Sequence, residues 1–210
     1  MRRELDRQLQ NLHRLGYPAL AGISAQDLDA MVEPLTELLP EDDPGGDPDE
    51  DAPGAIPVVL VVTRKLVPTV EAVARWSVRG RAGWTDMADE IDDYVPIEGL
   101  EVPDAPVYLL LDVDTGAETL DVPPVEALPM VLGVGRSPLT VDEGVALVTH
   151  FPDVFGTRNA FQALGSRAPN KRVPSFWVSK HAPRLGWCWA GNPHTWLGAA
   201  SAGGRLHVEQ

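Results

Sequence analysis

The sequence has 210 residues, of which 44% are hydrophobic and 23% are charged, and its net charge is −14. This composition is typical of one sizeable globular domain with a small appendage, and no run approaches the roughly 18 apolar residues of a membrane span. The single cysteine excludes an internal disulfide and a zinc site of the CxxC type, and the first residues lack the apolar region of a signal peptide. We therefore expect a cytoplasmic protein without a membrane partner.

The negative charge is unevenly distributed along the chain. Residues 151–210 carry seven Lys or Arg against two acidic residues, a formal +5, which leaves −19 for the first 150 residues. The overall negative charge argues against nucleic acid as a partner, because a polyanion is repelled. The basic end indicates that this part of the chain meets negative charge. That charge belongs either to a small anionic molecule or to the protein's own acidic part.

Residues 1–39 are predicted to form a helical hairpin. Leucines recur at helical spacing up to Gly16, and Ser24 with Asp27 approximates a capping box at the start of a second helix. A hairpin of this size needs a partner surface, which is either the main domain or a second subunit of a homo- or hetero-oligomer. Residues 40–55 are acidic and rich in Pro and Gly, and this composition predicts a disordered linker.

Residues 56–210 are predicted to form an α+β core domain. Residues 56–67 and 107–116 have the apolar, β-branched character of buried strands, and Thr140 with Glu143 predicts a capped helix. Short strand-like segments separated by Pro, Gly and Asn then indicate antiparallel hairpins. The predicted fold class is α+β, with an N-terminal helical hairpin, a mixed core and an antiparallel, strand-rich C-terminal part.

Asp112 and Asp114 end the second predicted strand in the segment DVDTG. Their spacing resembles that of the nucleophile and the acid in haloacid-dehalogenase-type phosphatases. Thr115 and Gly116 follow in the reverse of that family's order. A turn that ends the strand is therefore the favoured interpretation.

Arg136 and Ser137 follow Gly133-x-Gly135, which lacks the other glycine and the lysine of a phosphate-binding loop. They precede the helix predicted to begin at Thr140, and N–H groups at a helix N-terminus can hold an anion. Two interpretations stay open here. The segment is a simple entry into the helix, or Arg136 and Ser137 contribute to an anion site.

The segment LGWCWAGNPHTWLG, residues 185–198, holds the main catalytic candidates. Cys188 is a candidate nucleophile, with His181 and His194 as candidate proton-transfer groups, because a thiolate needs a nearby base and positive surroundings. The alternative is that Cys188 is a buried, inert thiol and that His194 belongs to a turn between two strands.

The same region supplies candidates for substrate binding. Basic side chains can clamp an anionic group, and aromatic side chains form the apolar walls of most small-molecule pockets. On an extended strand, neighbouring residues point to opposite faces, so Trp187 and Trp189 are predicted to face away from Cys188. The substrate-binding candidates are Lys180, Arg184, Asn192, Trp187, Trp189 and Trp196, together with Arg136 and Ser137.

Several segments resemble an actinobacterial protein family of unknown function. They are GRSPLTVDEGVALVTHFP, LGSR with RVPSFWVS after it, and GWCWAGNPHTWLG, and the segments DVDTGAETL and LGYPALAG are similar as well. The resemblance covers most of the chain apart from the acidic linker. It implies one family fold and an actinobacterial source, but no activity and no catalytic residues.

The sequence leaves two functions open. One is a cofactor-independent enzyme or enzyme subunit that acts on a small anionic metabolite by elimination, hydrolysis or group transfer. The alternative is a non-catalytic protein that binds a ligand or a protein partner through the Trp-rich surface. No cofactor and no metal are expected, because the sequence has neither a dinucleotide fingerprint nor a cluster of metal ligands.

Overall fold

The computed structural model describes residues 1–40 and 56–209, so that nearly all of the predicted linker, 40–55, lies outside the described residues. The described residues form an α+β fold, which confirms the predicted fold class. Short 3-10 helices occur at Ile91–Asp93 and Ala117–Thr119. The α-helices are α1 (Arg2–Leu15), α2 (Tyr17–Ala21), α3 (Ala25–Thr36), α4 (Thr69–Ala74), α5 (Pro124–Gly133), α6 (Val141–His150) and α7 (Val154–Thr157).

The strands of the described residues are mostly short, and two of the longest form one hairpin. They are β1 (Ile56–Val62), β2 (Ser77–Val78), β3 (Arg81–Ala82), β4 (Trp84–Thr85), β5 (Val95–Pro96), β6 (Val107–Val113), β7 (Ser137–Pro138), β8 (Ala160–Gln162), β9 (Ser166–Arg167), β10 (Arg172–Ser179), β11 (Ala182–Trp189), β12 (Leu197–Ala199), β13 (Ser201–Ala202) and β14 (Gly204–Leu206).

A three-stranded antiparallel sheet has the order β1–β6–β14. Strand β1 ends at Val62, earlier than the predicted residue 67, because Leu66 and Val67 both donate their N–H groups to the Thr63 carbonyl and turn the chain. Nearly every residue of β1 and β6 is buried, which agrees with the continuous apolar runs of their sequences.

The outer edge of β1 is covered by side chains. Gln8 of α1 donates from Nε2 to the Val58 carbonyl at 2.8 Å, and the Leu60 N–H donates to Gln8 Oε1 at 2.6 Å. His150 donates from Nε2 to the Leu60 carbonyl at 2.9 Å. An unpaired strand edge is a template for another strand, so these contacts close the sheet at the helical side.

The N-terminal helices pack against the main body and share one hydrophobic core with it. Both predicted capping boxes are formed, since Asp27 N–H donates to Ser24 Oγ and Glu143 N–H donates to Thr140 Oγ1. In each box the acidic side chain also accepts the N–H of the capping residue. No helix within residues 1–40 and 56–209 is long and apolar enough to cross a bilayer.

A five-stranded mixed sheet has the order β12–β8–β10–β11–β4. Strands β10 and β11 form the predicted antiparallel hairpin, from the pair Arg172–Trp189 to the pair Ser179–Ala182. Strands β12 and β4, however, join their neighbours β8 and β11 in parallel. The C-terminal part is therefore not a simple series of hairpins, because β4 comes from far upstream and β14 returns to the first sheet.

Aromatic side chains fill the space between this mixed sheet and α6. The Phe176 ring lies 4.8 Å from the Phe161 ring and 6.2 Å from the Trp76 ring, measured between centroids. Gly144 makes this contact possible, because a Cβ atom there would lie 2.4 Å from Phe176 Cζ. The small residue lets α6 approach the middle of β10 closely.

Candidate anion-binding clefts

Two hairpin turns with left-handed backbone border one cavity. Lys180 (φ 53°) and His181 (φ 65°) form the β10–β11 turn, and Arg79 (φ 50°) with Gly80 (φ 76°) forms the β2–β3 turn. Two-residue turns with positive φ match the twist of the strands but favour Asn and Gly. A left-handed conformation costs other residues roughly 1–2 kcal/mol. Basic side chains thus stand where stability alone favours Asn-Gly, and such strain is typical of functional positions.

The cavity between these turns, here called the hairpin cleft, has a volume of about 510 Å³. Its walls combine apolar surface with three basic or titratable side chains and one carboxylate. The lining residues are Val78, Arg79, Arg81, Pro152, Asp153, Phe155, Gly156, Thr157, Val178 and His181.

The basic side chains of the hairpin cleft have no ion-pair partner among the described residues. Within the described part of the chain, the side chains of Arg79, Arg81 and His181 make no hydrogen bond and no ion pair. The Asp153 carboxylate likewise has no ion pair there. Two arginines against one carboxylate leave the cleft with net positive charge.

A second cavity, here called the tryptophan groove, adjoins the hairpin cleft and shares Phe155 and Val178 with it. Its volume is about 540 Å³. The groove has aromatic and apolar walls and carries one basic side chain, that of Arg158. Its lining residues are Leu120, Phe155, Arg158, Asn159, Ala160, Trp177, Val178, Thr195 and Trp196.

The structure brings several of the predicted site residues together in one stack of aromatic and basic side chains. The Arg184 guanidinium lies between the rings of Trp84, at 4.6 Å, and Trp177, at 4.5 Å. Trp177 meets the Trp196 ring edge-on at 6.0 Å, and His194 lies 5.4 Å from Trp196. In order, the stack is Lys180, Trp84, Arg184, Trp177, Trp196 and His194.

Within the stack, Arg184 is already paired. Its Nη2 donates to Asp86 Oδ2 at 2.5 Å, and its guanidinium packs on the Trp84 ring. These two contacts connect β11 to β4. Lys180 Nζ lies 5.4 Å from the centre of the Trp84 ring. His194 Nε2 is buried and has no hydrogen-bond partner among the described residues. These contacts explain the order of the stack without a ligand, and the roles in substrate binding stay predictions.

Trp187 and Trp189 lie on the opposite face of β11 from Cys188, as their spacing predicts, and their rings meet at 5.0 Å. Arg172 covers them, with its guanidinium 4.0 Å from the Trp187 ring, and pairs with Glu90 at 2.8 Å. This second aromatic cluster is separate from the stack around Arg184. The structure therefore divides the predicted tryptophan wall between two faces of the sheet.

Cys188 lies at the far end of the hairpin from its turn. It pairs with Val173, whereas the turn follows the pair Ser179–Ala182, so Cys188 and His181 are about 20 Å apart at roughly 3.3 Å per residue. Burial raises the pKa of the Cys188 thiol, although Ser175 and Arg184 act in the opposite direction. A raised pKa keeps the thiol protonated at neutral pH, which disfavours nucleophilic chemistry.

Arg136 and Ser137 lie in a polar network near the start of α6. Arg136 donates from Nη1 to Asp112 Oδ2 at 2.6 Å and from Nε to Ser201 Oγ at 2.8 Å, and Ser137 Oγ accepts from Arg205. Both residues line a cavity of about 750 Å³.

Three N–H groups at the start of α6 are occupied. Glu143 accepts the Thr140 N–H at 2.6 Å, Ser166 Oγ accepts the Val141 N–H at 3.0 Å, and Thr140 Oγ1 accepts the Glu143 N–H. These contacts favour a simple helix entry, since most of the N–H groups that would hold an anion already have partners.

The remaining motif residues build turns. Asp114 Oδ1 accepts the Gly116 N–H at 2.5 Å, as in the strand-ending turn that the sequence favours. A Cβ atom at Gly198 would lie 2.3 Å from the Gly116 carbonyl oxygen, so the DTG and WLG segments touch through their backbones. Asn192 is exposed in the turn after β11, where its N–H donates to the Trp189 carbonyl at 3.1 Å.

Sequence reasoning missed Arg79, Arg81 and Asp153, which line the hairpin cleft with His181. The segment VRGR, with glycine between basic residues, was a signal for a hairpin turn that presents arginines. Its position beside the β10–β11 turn arises from tertiary packing, so no local pattern could have shown it. In residues 1–40 and 56–209, no three His, Cys, Asp or Glu side chains are arranged to hold a metal ion.

Fold and geometry together define an α+β protein whose candidate ligand site is a basic cleft between two hairpin turns. The chain belongs to a family of unknown function, DUF5701, whose model matches residues 11–208. Neither the curated proteins nor the solved structures compared with the chain give a match.

Proposed function

We propose that this protein binds a small organic anion in the hairpin cleft. The observation that carries the proposal is that Arg79, Arg81 and His181 converge on one cavity without an acidic partner in the described part of the chain. Arginine forks bind carboxylate, sulfate and phosphate with two parallel hydrogen bonds. Binding of such an anion explains why basic side chains occupy turn positions whose left-handed backbone lowers the stability of the fold.

The pairing of three other arginines supports this choice of site. Arg136 is paired with Asp112, Arg172 with Glu90 and Arg184 with Asp86. A ligand at any of these positions has to compete with a carboxylate that the fold already provides. Basic side chains that lack such a partner bind an anion without that cost.

The walls of the hairpin cleft indicate what the rest of the ligand is like. Val78, Phe155 and Val178 offer apolar surface, so the anionic group is attached to an apolar portion. The Asp153 carboxylate accepts a hydrogen bond from a hydroxyl or amino group of the ligand. An actinobacterial source and a cytoplasmic location, which the sequence suggests, are part of this proposal.

A second candidate function is cofactor-independent acid–base catalysis in the same cleft. It is favoured by one observation, that His181 and Asp153 line the cavity together. His181 moves a proton at a reacting group of the bound anion, and Asp153 orients the substrate or takes the proton in turn. Cys188, about 20 Å from the turn at roughly 3.3 Å per residue, takes no part in this mechanism.

Thermal shift with phosphate, sulfate and small carboxylates at constant ionic strength tests the binding proposal. We expect at least one of these anions to raise the Tm of the wild type, because a ligand of the folded state stabilises it by mass action. The double variant Arg79→Ala/Arg81→Ala should lose the shift. Lys171→Ala, an exposed lysine beside the other end of the hairpin, should keep it.

The proposal is overturned if no anion raises the Tm, or if the double variant responds like the wild type. The variant His181→Asn separates the two candidate functions, since Asn tolerates the left-handed turn. If it still binds the anion but loses turnover of a ligand found by the screen, the protein is an enzyme. If the variant and the wild type bind the ligand equally and neither turns it over, the function is binding without catalysis.

A further inference from the structure

The hairpin cleft adjoins the tryptophan groove. Phe155 and Val178 line both cavities, so these two side chains lie at the boundary between them. The cleft holds the arginines of the two hairpin turns, and the groove holds Trp177 and Trp196. Two adjoining cavities therefore offer one ligand a charged surface and an aromatic surface.

Trp196 is exposed but held in place. The residue is 43% exposed, but Trp177 meets its ring edge-on at 6.0 Å and the His194 ring lies 5.4 Å away. The next residue, Leu197, is buried and pairs with Ala160 in the mixed sheet. A ring fixed in this way loses little conformational freedom when a ligand stacks on it, which favours binding.

The polar groups of the tryptophan groove differ in whether they already have hydrogen-bond partners. The Asn159 amide is occupied, since it donates to the carbonyls of Thr115 and Ala160 and accepts from Thr115 Oγ1. The Arg158 guanidinium makes no hydrogen bond or ion pair with the described residues. Arg158 can therefore lie over a ligand ring or bind a polar substituent at its edge.

We propose that the ligand is an anion that carries an aromatic ring, with the anionic group in the hairpin cleft and the ring against Trp196 in the tryptophan groove. This inference rests on the proposed function, because the charged group is the one that Arg79 and Arg81 hold. It adds the chemical class of the ligand and a specificity role for Trp196 and Arg158.

Two pairs of probes with matched charge test the inference by titration calorimetry. They are phenyl phosphate against methyl phosphate, and benzoate against acetate. We expect one pair to show about tenfold tighter binding of the aromatic member, because the ring buries apolar surface and stacks on a held aromatic side chain. The variant Trp196→Leu should bring the ratio of the two Kd values close to one and leave the Kd of the aliphatic probe unchanged.

Trp189→Leu is the matched control, since Trp189 is 45% exposed and belongs to the other aromatic cluster. Aromatic and aliphatic probes that bind equally well, with binding that still needs Arg79 and Arg81, overturn this inference and leave the proposed function standing. The inference also fails if Trp189→Leu lowers the ratio as much as Trp196→Leu. Absence of binding by every probe and every anion of the thermal-shift panel overturns both proposals.

Discussion

His150 illustrates how one buried side chain joins the helices to the sheet. Its Nε2 donates to the Leu60 carbonyl at 2.9 Å, and Asn11 Nδ2 lies 3.4 Å from Nδ1. Burial lowers the pKa of His150 from 6.5 to about 3, and nearby Arg7 acts in the same direction. The ring is therefore neutral in the folded protein at every pH at which proteins are commonly studied.

This depressed pKa predicts a loss of stability in acid. The unfolded chain protonates His150 below about pH 6.5, whereas the folded protein resists protonation down to a pKa of about 3. As the pH falls from about 6.5 to about 3, the free energy of unfolding should decrease by about 1.4 kcal/mol for each pH unit. Urea unfolding of the wild type and of His150→Gln, at several pH values, measures the difference. Equal pH slopes for the two proteins would rule out His150 as the cause.

Gln8 offers a second test at the scale of one residue. The side chain is fully buried, and the change Gln8→Met keeps its size but leaves the Val58 carbonyl and the Leu60 N–H without their partner. We expect the free energy of unfolding to drop by about 2–6 kcal/mol, at about 1–3 kcal/mol for each of the two buried groups left unpaired.

The neighbouring Gln10→Met is the control for that change, because Gln10 is exposed on the same helix. Its effect on the free energy of unfolding should stay within about 0.5 kcal/mol. Urea denaturation measures both variants. Similar losses for Gln8→Met and Gln10→Met would show that helix propensity matters here and the strand edge does not.

At the scale of elements, the β10–β11 turn combines backbone strain with a place in the candidate site. Replacing Lys180-His181 by Asn-Gly should raise the free energy of unfolding by on the order of 1 kcal/mol, because Asn and Gly accept positive φ at both positions. The same change should weaken the anion-dependent rise in Tm, since it removes His181 from the hairpin cleft.

Thermal denaturation with and without anion measures both effects of the turn replacement. Arg75→Asn, which changes an exposed arginine at the end of α4, is the control and should alter neither quantity much. A more stable variant that keeps the full anion response would remove His181 from the binding site. A less stable variant would show that Lys180 and His181 contribute more through contacts than the turn conformation costs.

The elements that the sequence predicted are those with local signals. Ser24 and Thr140 predicted their helix starts because a capping box lies within four residues, and the run at β10, which Pro and Asn precede, predicted a strand of the hairpin. The parallel pairings of β12 with β8 and of β11 with β4 had no such signal. They join segments that are distant in the chain, and a short strand does not specify its partner.

In the candidate site, too, the features with local sequence signals were predicted and those that depend on tertiary packing were not. Alternation along one strand placed Trp187 and Trp189 opposite Cys188, because that property is local. The grouping of Cys188 with His181 required knowledge of where the hairpin turns, and the structure keeps the two apart. Arg79 and Arg81 escaped notice because they join His181 only through the packing of two hairpins.

At the scale of the molecule, the basic C-terminal part and the acidic remainder are joined by ion pairs. Arg172 pairs with Glu90, Arg184 with Asp86 and Arg205 with Glu143. The charge asymmetry of the sequence is thus met in part by the protein's own acidic residues. The Arg205–Glu143 pair is the most deeply buried of the three, with side-chain exposures of 8% and 0%.

The net charge of −14 predicts that salt stabilises the protein. Raising NaCl from about 0.02 M to about 0.5 M screens repulsion among exposed carboxylates, whereas the buried Arg205–Glu143 pair is little affected. We expect the Tm to rise at neutral pH. Near the isoelectric point of about 4.6, the same addition should have little effect. A Tm that falls at neutral pH would show that the exposed ion pairs outweigh the repulsion.

The covered edge of β1 also governs how molecules of this protein meet one another. Without Gln8 and His150, the alternating carbonyl and N–H groups of Val58 and Leu60 would face solvent beside the apolar run IPVVLVV. Such an edge recruits the same strand from a second molecule, and the growth that follows depends on concentration. Detachment of α1 removes Gln8 and uncovers the Val58 carbonyl and the Leu60 N–H. We therefore expect it to favour fibrils at high concentration.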